Sequence, residues 1–415
     1  MSETLHVWYE NYLAGTLKQV EHGDVVFQYS AQWLAYPDRF AVSLSLPLQE
    51  SAFSRELSTA FFDNYLPEEH LRAIVAKEYG LESHSTYALL KVLGAECAGA
   101  LSILPSDEEN KKHSPQYKEL VSEDLINYIV NIPKSPLLGE HDEVRLSLAG
   151  AQSKGALRIT PEMKFYLPQN GSPSTHIIKP SNSRYSNLPE NELFCMGLAH
   201  QMGMDVPRFF LLETLPKAFV ITRYDREIYK DHIKRIHQED FCQALGLSSQ
   251  LKYQKDGRGA TLPDCFALLH HCENPELETQ NLLQWVIYNI CIGNSDAHAK
   301  NISLLYSQQK PHLAPFYDLV STAPYPGINQ KLAMKIGGSN DGDRIFTSKW
   351  KQFADMIHVD YGFICETGRS FVKKLIDEID FQCERYIAQY LYFKELNTIV
   401  DTIKRRSAFL LEQWN

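Results

Sequence analysis

The sequence lacks an uninterrupted apolar stretch close to the roughly 20 residues that a helix needs to cross a bilayer. Its first residues, MSETLHVWYENYLAG, also lack the basic region and apolar core of a secretory signal peptide. The eight cysteines include no C-x-x-C pair and lie mostly in apolar periodic segments, so they are expected to be reduced residues of the core. Together these absences predict a cytoplasmic protein with no membrane partner.

An excess of positive charge is missing as well. The chain has 41 Lys and Arg against 51 Asp and Glu, a net charge of -10, which argues against binding nucleic acid through bulk electrostatics. What is present is ordinary globular material: 415 residues, 44% of them hydrophobic, long enough for two or three domains. The sequence shows no internal repeat.

Four segments follow one another along the chain. Residues 1–105 are predicted to form an N-terminal subdomain, in which the strands LHVWYE, TLKQVE and VVFQYS make a meander and two helices, broken near Pro67, follow. Residues 106–140 are predicted to be a linker and connecting segment, because PSDEENKKHSPQYKE carries charge and prolines without an apolar period. Residues 141–226 alternate strands with one helix and predict an α/β lobe, and the spacing over 227–415 is mainly helical.

The stretch GNSDAHAKN places Asp296 and Asn301 at the D-x-x-x-x-N spacing of a kinase catalytic loop, where the Asp faces the acceptor hydroxyl and the Asn reaches a metal ion. The same two residue types are also favoured as turn caps, which is the alternative interpretation. ISLLYS and HLAPFYDLV predict two strands, with Asp318 at the end of the second. Asp318 is therefore expected to meet Asp296 and Asn301 and to supply a metal-binding carboxylate, or else to be a simple turn former.

Features that suit nucleotide phosphates lie in the predicted α/β lobe. Lys179 ends the β-branched run of THIIKPS and is either a phosphate-neutralising cation or a strand-edge Lys that points to solvent. Glu192, in preference to Glu190, is a candidate partner for Lys179, although acidic residues in a first helical turn also complement the helix dipole. The small residues of SLAGAQSKG, 147–155, permit either a phosphate cradle or a hairpin turn.

These features occur in the order of a bilobal kinase, and the sequence resembles the HipA-type Ser/Thr protein kinases, toxin components of bacterial toxin–antitoxin pairs. The matching stretches are SLAGAQSK, THIIKP, VITRYDR, NSDAHAKN and LAPFYDL, with SLSLPL and FFDNYLP near the beginning, so the resemblance covers most of the chain. It implies an α+β, bilobal protein-kinase-like fold with an N-terminal β-rich and helical subdomain, a strand-rich nucleotide lobe and a mainly helical C-terminal lobe.

The resemblance also implies a role for each matching residue. Asp296 is implied as the catalytic Asp, Asn301 and Asp318 as Mg²⁺ ligands, and Lys179 as the cation that neutralises ATP phosphates. Ser147 matches the autophosphorylation position. The residues implied to bind ATP are Ala149, Gly150, Ala151, Gln152, Ser153, Lys154, Lys179, Thr222, Arg223, Tyr224, His298, Ala299, Lys300, Asn301, Tyr317 and Asp318.

The implied activity is transfer of the γ-phosphoryl group of ATP to a protein Ser or Thr, with Mg²⁺ as cofactor and self-inactivation through Ser147. The implied partners are a HipB-like helix-turn-helix antitoxin, operator DNA reached through it, and a protein substrate such as an aminoacyl-tRNA synthetase. Two positions depart from the family pattern: Thr222 stands where a relative has an acidic residue, and Ala297 replaces a Gly. Neither departure removes a catalytic group.

Two other functions stay open at this point. The first is a small-molecule kinase of related fold, and the second is a catalytically silent chain that binds the antitoxin and acts as co-repressor. A zinc site is not expected, because His270, His271 and Cys272 have no partner pair at zinc-like spacing and suit a helix surface.

Overall fold

The computed structural model describes residues 4–106, 115–134, 152–182, 184–230, 232–306 and 310–414. Helices and sheets both contribute, as the α+β prediction requires. The chain divides into two compact units: the first comprises Met1–Pro180, Leu212–Ser249 and Leu305–Ser307, and the second comprises Ser181–Leu211, Gln250–Leu304 and Gln308–Asn415. Over the described ranges, no helix is both long and apolar enough to cross a membrane.

Side-chain caps start several helices, because Ser54, Ser85 and Asp360 accept hydrogen bonds from backbone N–H groups one turn ahead. In chain order the helices of the described residues are α1 (Ala31–Ala35), α2 (Arg55–Asp63), α3 (Glu69–Glu78), α4 (Thr86–Leu93), α5 (Ser122–Asn131), α6 (Leu188–Gln201), α7 (Phe241–Ala244), α8 (Leu262–Leu268), α9 (Pro275–Ile292), α10 (Thr347–Ile357), α11 (Tyr361–Tyr390) and α12 (Leu396–Gln413).

The strands are short and rich in β-branched and aromatic residues. In chain order the strands of the described residues are β1 (Thr4–Tyr9), β2 (Tyr12–Gln19), β3 (Val25–Tyr29), β4 (Leu101–Pro105), β5 (Gln116–Leu120), β6 (Gly155–Ile159), β7 (Phe165–Gln169), β8 (His176–Pro180), β9 (Phe209–Leu212), β10 (Ala218–Thr222), β11 (Arg226–Ile228), β12 (Ile233–Arg235), β13 (Gln238–Asp240), β14 (Ser303–Leu305), β15 (His312–Leu313), β16 (Lys331–Ile336) and β17 (Ser339–Asp341).

The predicted N-terminal meander is confirmed. Strands β1 to β3 pair antiparallel, and β4 returns to the other side of β1, so that the sheet order is β3-β2-β1-β4. Leu5 and Val7 are fully buried on one face of β1, as period-two alternation requires. The helices α2 and α3 are separated at Pro67, as expected from the proline.

The larger sheet of the first unit has β5, β7, β6, β8 and β10 side by side in that order, and β8 pairs antiparallel with β10. Its edge strand β5 and the helix α5 both lie inside the segment predicted to be a linker. The sequence QYKEL buries only Leu120, so it carries no apolar period, and its pairing with β7 comes from the backbone. The hydroxyl of Tyr128 on α5 accepts a hydrogen bond from Ala156 N at 3.1 Å and ties the helix to β6.

The second unit is mainly helical, as predicted. Helix α9 is buried over most of its last three turns and packs against α11 and α12. The strand predicted to end at Asp318 is shorter than expected, because β15 ends at Leu313. Pro315 explains the difference, since proline has no N–H to donate to a ladder. The cysteines are free, and seven of the eight are buried, which confirms the expectation of reduced core residues.

Candidate active site

The predicted catalytic loop, residues 293–301, follows directly from the buried helix α9. Gly293 ends the helix with φ of 72°, a conformation that favours glycine, and a Cβ there would lie 3.1 Å from Ala323. Asn294 then anchors the loop, because its Nδ2 donates to Asn289 Oδ1 at 2.8 Å. Ser295 N donates to Thr322 Oγ1 at 2.9 Å. The loop is thus fixed to the core before its functional side chains begin.

Asn301 and Asp318 meet, as the sequence predicts. Asn301 Nδ2 donates to Asp318 Oδ2 at 3.0 Å, and Asn301 Oδ1 accepts from His298 N at 3.1 Å. Asp318 has φ of 53°, and its backbone oxygen accepts from Asn294 Nδ2 at 3.2 Å. These hydrogen bonds hold a carboxylate and a carboxamide side by side on one edge of the loop.

This pair suits Mg²⁺ better than a metal that needs many protein ligands. In the described part of the chain, no group of three or more His, Cys, Asp or Glu side chains could hold a metal ion. Mg²⁺ binds through one or two protein oxygen ligands and completes its shell with water and phosphate oxygens. Asp318 and Asn301 offer such oxygens, so the residues present fit this ion. Their role as its ligands stays a prediction.

Asp296 lies on the open side of the loop, and 57% of its side chain is exposed. Its N–H donates to Asn294 Oδ1 at 3.0 Å, and its backbone oxygen accepts from His298 N at 2.9 Å. The hydroxyl of Tyr253 donates to Asp296 Oδ1 at 2.5 Å. Asp296 therefore presents an accessible carboxylate whose direction is set by neighbouring groups, which is what a base for an acceptor hydroxyl requires.

His298 is buried among positive charges. Burial is the main cause that holds its pKa well below the ordinary 6.5, and Lys252 and Lys300 lower it further, against the opposing charge of Asp318. The imidazole is therefore neutral at physiological pH. Its Nε2 lies 4.0 Å from Asp296 Oδ1, and its buried Nδ1 has no hydrogen-bond partner within the described residues. The backbone of His298 links Asp296 to Asn301, because His298 N donates to Asp296 O at 2.9 Å and to Asn301 Oδ1 at 3.1 Å.

The structure adds two residues to this cluster that the sequence did not indicate. Lys252 is buried beside His298, and Tyr253 contacts both His298 and Asp296. Both lie in KYQKDGRG, a polar stretch without apolar period that predicts only a loop. Because tertiary contact alone brings them to the loop across more than 40 positions, no sequence signal could have found them.

Lys300 and Tyr317, two of the residues predicted to bind ATP, are joined through the backbone. The hydroxyl of Tyr317 donates to Lys300 O at 2.8 Å and lies 2.8 Å from Ser303 Oγ. Lys300 and Ala299 are buried. This contact fixes the ring of Tyr317 next to the segment that carries Asn301.

In the first unit, Lys179 lies on β8 opposite Phe219 of β10, and its Nζ is 5.9 Å from the ring centroid. Only 4% of Lys179 is exposed, so the alternative of a strand-edge Lys in solvent is wrong. Lys154, just before β6, is also buried, while Gln152 and Ser153 are partly exposed. The predicted residues Ser147, Ala149, Gly150 and Ala151 lie outside the described part of the chain.

The predicted hinge, residues 222–224, follows β10 and carries a buried ion network. Arg223 Nη1 donates to Glu96 Oε1 at 2.8 Å, and Arg223 Nη2 donates to Asp225 Oδ2 at 2.8 Å. Burial opposes charge on Asp225, but Arg223 and Arg226 outweigh it and hold its pKa well below the ordinary value. The guanidinium of Arg223 is therefore engaged in this ion network.

Two other groups of the predicted hinge, Arg223 N and the Tyr224 hydroxyl, also donate hydrogen bonds within the protein. Arg223 N donates to Thr175 O at 2.8 Å, and the hydroxyl of Tyr224 donates to Gln238 Oε1. A contact of Thr222, Arg223 and Tyr224 with adenine stays a prediction, and it rests on their other backbone groups.

Glu190 and Glu192 lie on α6 in the second unit, and both are buried. Burial of a carboxylate needs a specific partner rather than the weak field of a helix terminus. The pairing of Glu192 with Lys179 stays a prediction.

Two protein-family models match the chain. The HipA N-terminal domain matches residues 5–104, and the HipA-like C-terminal domain matches residues 146–385, more than half of the sequence. Together, the two matches contain all the stretches that suggested the resemblance.

Similar proteins are named as kinases. A Sinorhizobium fredii protein named as kinase Y4mE is 36% identical over 412 residues, covering 97% of each chain. The Shewanella oneidensis Ser/Thr-protein kinase toxin HipA is 31% identical over 329 residues, covering 76% of this chain and 75% of that protein. A solved HipA chain, from a complex of Shewanella oneidensis HipA with HipB and operator DNA, matches with a TM-score of 0.82 and 26% identity over 99% of this chain and 96% of that chain.

Proposed function

The chain belongs to the HipA family of kinases, and from this premise we propose that it transfers the γ-phosphoryl group of ATP to a Ser or Thr of a protein, with Mg²⁺ as cofactor. The observation that carries the proposal is the hydrogen-bonded pair of Asn301 and Asp318 beside the accessible Asp296. This arrangement gives one carboxylate to an acceptor hydroxyl and a separate pair of oxygen ligands to a metal ion.

The mechanism rests on positioning and charge. Asp296 accepts a hydrogen bond from the acceptor hydroxyl, orients the hydroxyl oxygen towards the γ-phosphorus and receives the hydroxyl proton. As the new bond from this oxygen to the γ-phosphorus forms, the bond from the γ-phosphorus to the bridging oxygen breaks and ADP leaves. Asn301 and Asp318 would hold Mg²⁺, which neutralises phosphate charge when bound. Lys179 supplies a further positive charge to the phosphates, and Lys300 does so from within the loop. His298 is neutral, so it adds no positive charge to those of Lys179 and Lys300.

Regulation and partners are part of the proposal. Phosphorylation of Ser147 would add about two negative charges next to the phosphate loop and inactivate the enzyme by repelling nucleotide. The solved relative assembles with HipB and operator DNA, and we propose that this chain likewise binds a helix-turn-helix antitoxin and reaches DNA through it. The net charge of -10 suits such indirect binding. An aminoacyl-tRNA synthetase is the class of protein substrate that the resemblance favours.

The test is mass spectrometry of the full chain after dephosphorylation and incubation with Mg-ATP, together with phosphoproteomics after induction. The proposal expects a gain of about 80 Da on the Ser147 peptide and new phosphosites on a host protein. Both should vanish with Asp296→Asn. Phosphate transfer to small molecules alone would favour the small-molecule kinase, and absence of any transfer, with antitoxin binding intact, would favour the silent co-repressor.

A further inference from the structure

Tyr253 makes a side-chain contact with Asp296 that the proposed mechanism does not use. Its hydroxyl donates to Asp296 Oδ1 at 2.5 Å across 43 sequence positions. A hydrogen bond to a charged group is shorter and stronger than one between neutral groups. The contact therefore restrains the carboxylate.

The position of Tyr253 is built by its neighbours. Its ring meets the ring of His298 edge to face at 5.1 Å, and Lys252 O accepts from Ala299 N at 3.4 Å. On the other side, Gln254 N donates to Ala333 O at 2.9 Å. These contacts anchor the segment before and after Tyr253, so the hydroxyl is held at the loop by the fold.

Asp296 needs such a restraint because its side chain is 57% exposed. An exposed Asp samples several rotamers, and only some of them present an oxygen to an acceptor hydroxyl. A group that fixes a catalytic base in one orientation raises the rate by increasing the fraction of reactive geometry.

We propose that Tyr253 is a positioning residue of this kinase: its hydroxyl holds the Asp296 carboxylate in the orientation that receives the acceptor proton. This inference rests on the proposed function and adds a residue to it. Tyr253 acts through Asp296 and contributes nothing to nucleotide affinity.

The experiment compares Tyr253→Phe with the unchanged full chain in single-turnover labelling from radiolabelled Mg-ATP, with the chain itself and dephosphorylated casein as acceptors. Phe keeps the ring against His298 and removes only the hydroxyl. The maximum rate should fall about ten- to hundredfold, the effect of losing a hydrogen bond to a charged group. The half-saturating ATP concentration and the midpoint of thermal unfolding should not change.

Tyr229→Phe is the matched control, because the Tyr229 hydroxyl also donates to a carboxylate, Glu227 Oε2 at 2.8 Å, in the other unit. It should leave the rate unchanged. An unchanged rate in Tyr253→Phe, or a loss shared with weaker ATP binding and lower stability, would overturn the positioning role alone. Absence of labelling by the unchanged chain would overturn the proposed function and this inference with it.

Discussion

Asn301 and Asp318 are 17 positions apart in sequence, yet Asn301 Nδ2 lies 3.0 Å from Asp318 Oδ2 and donates to it. The contact joins the end of the catalytic loop to the segment after β15. Because His298 N and Asn294 Nδ2 bond to the same two residues, the pair is fixed from both sides. The two side chains are therefore held in one orientation, and their role as metal ligands stays a prediction.

Replacement of Asp318 by Asn should abolish metal-dependent transfer. The carboxamide has nearly the same shape but no charge, and Mg²⁺ prefers charged oxygen ligands. We expect at least a hundredfold loss of labelling at about 1 mM Mg²⁺, a rough figure for the loss of a metal ligand. Asp360→Asn is the control, since Asn also caps a helix well and Asp360 only caps α11. Undiminished labelling by Asp318→Asn would exclude Asp318 as a metal ligand.

His298 should remain neutral across the physiological range. Burial, with help from Lys252 and Lys300, holds its pKa well below 6.5, so its proton binds at lower pH than in an unfolded chain. Protonation therefore disfavours the folded state as the pH falls below 6.5. In NMR titrations its ring signal, assigned by loss in His298→Gln, should not shift between about pH 8 and 6. A midpoint near 6.5 would show that His298 is not buried beside these cations in solution.

Breaking the buried ion network at the predicted hinge should destabilise the first unit. Glu96 Oε1 accepts from both Arg223 and Arg226, and all three side chains are at most 2% exposed. Glu96→Gln leaves two guanidinium groups short of a counter-charge, and we expect a loss of about 3–5 kcal/mol in the free energy of unfolding. Urea denaturation measures it.

An exposed pair provides the control for that experiment. Asp380 accepts from Lys404 at 2.6 Å, but its side chain is 67% exposed. Asp380→Asn should leave the urea midpoint almost unchanged, because solvent screens such a pair. Equal effects of the two substitutions would mean that burial does not strengthen the hinge network.

Glu239 should make the stability of the first unit depend on pH. Burial raises its pKa from 4.5 to about 7, although Ser43, Tyr306 and Leu44 N donate to its carboxylate. A raised carboxyl pKa gives a stabilising contribution that is complete below pH 4.5 and is lost as the pH rises through 7. Relative to Glu239→Gln, the unchanged chain should therefore lose about 2–3 kcal/mol of unfolding free energy between about pH 5 and 8.

The comparison with Glu239→Gln is needed because His237 changes stability in the opposite direction. Burial lowers the pKa of His237 to about 4, so its contribution is lost as the pH falls from 6.5 towards 4. Both chains retain His237, and its effect cancels in the difference. A difference that does not vary with pH would show that Glu239 keeps its ordinary pKa.

The sequence predicts the parts of the fold and site that local patterns control. Alternation and turn signals predict the N-terminal meander, and the two strand-like runs ISLLYS and HLAPFYDLV predict that Asp318 lies near Asn301. The sequence pattern could not predict Tyr253, because its contact with Asp296 depends on how a polar loop packs. The sequence pattern also could not predict β5, because most of its side chains are not buried and its pairing with β7 comes from backbone hydrogen bonds. The roles of the site residues stay predictions.

The central claim is that Asp296 acts as the base in phosphoryl transfer from Mg-ATP to a protein hydroxyl. Labelling from radiolabelled ATP tests this claim most directly. The unchanged chain should label itself on Ser or Thr, and Asp296→Asn should not, while both unfold at the same temperature. Equal labelling of the two chains, or no Mg²⁺-dependent labelling by the unchanged chain, would contradict the account.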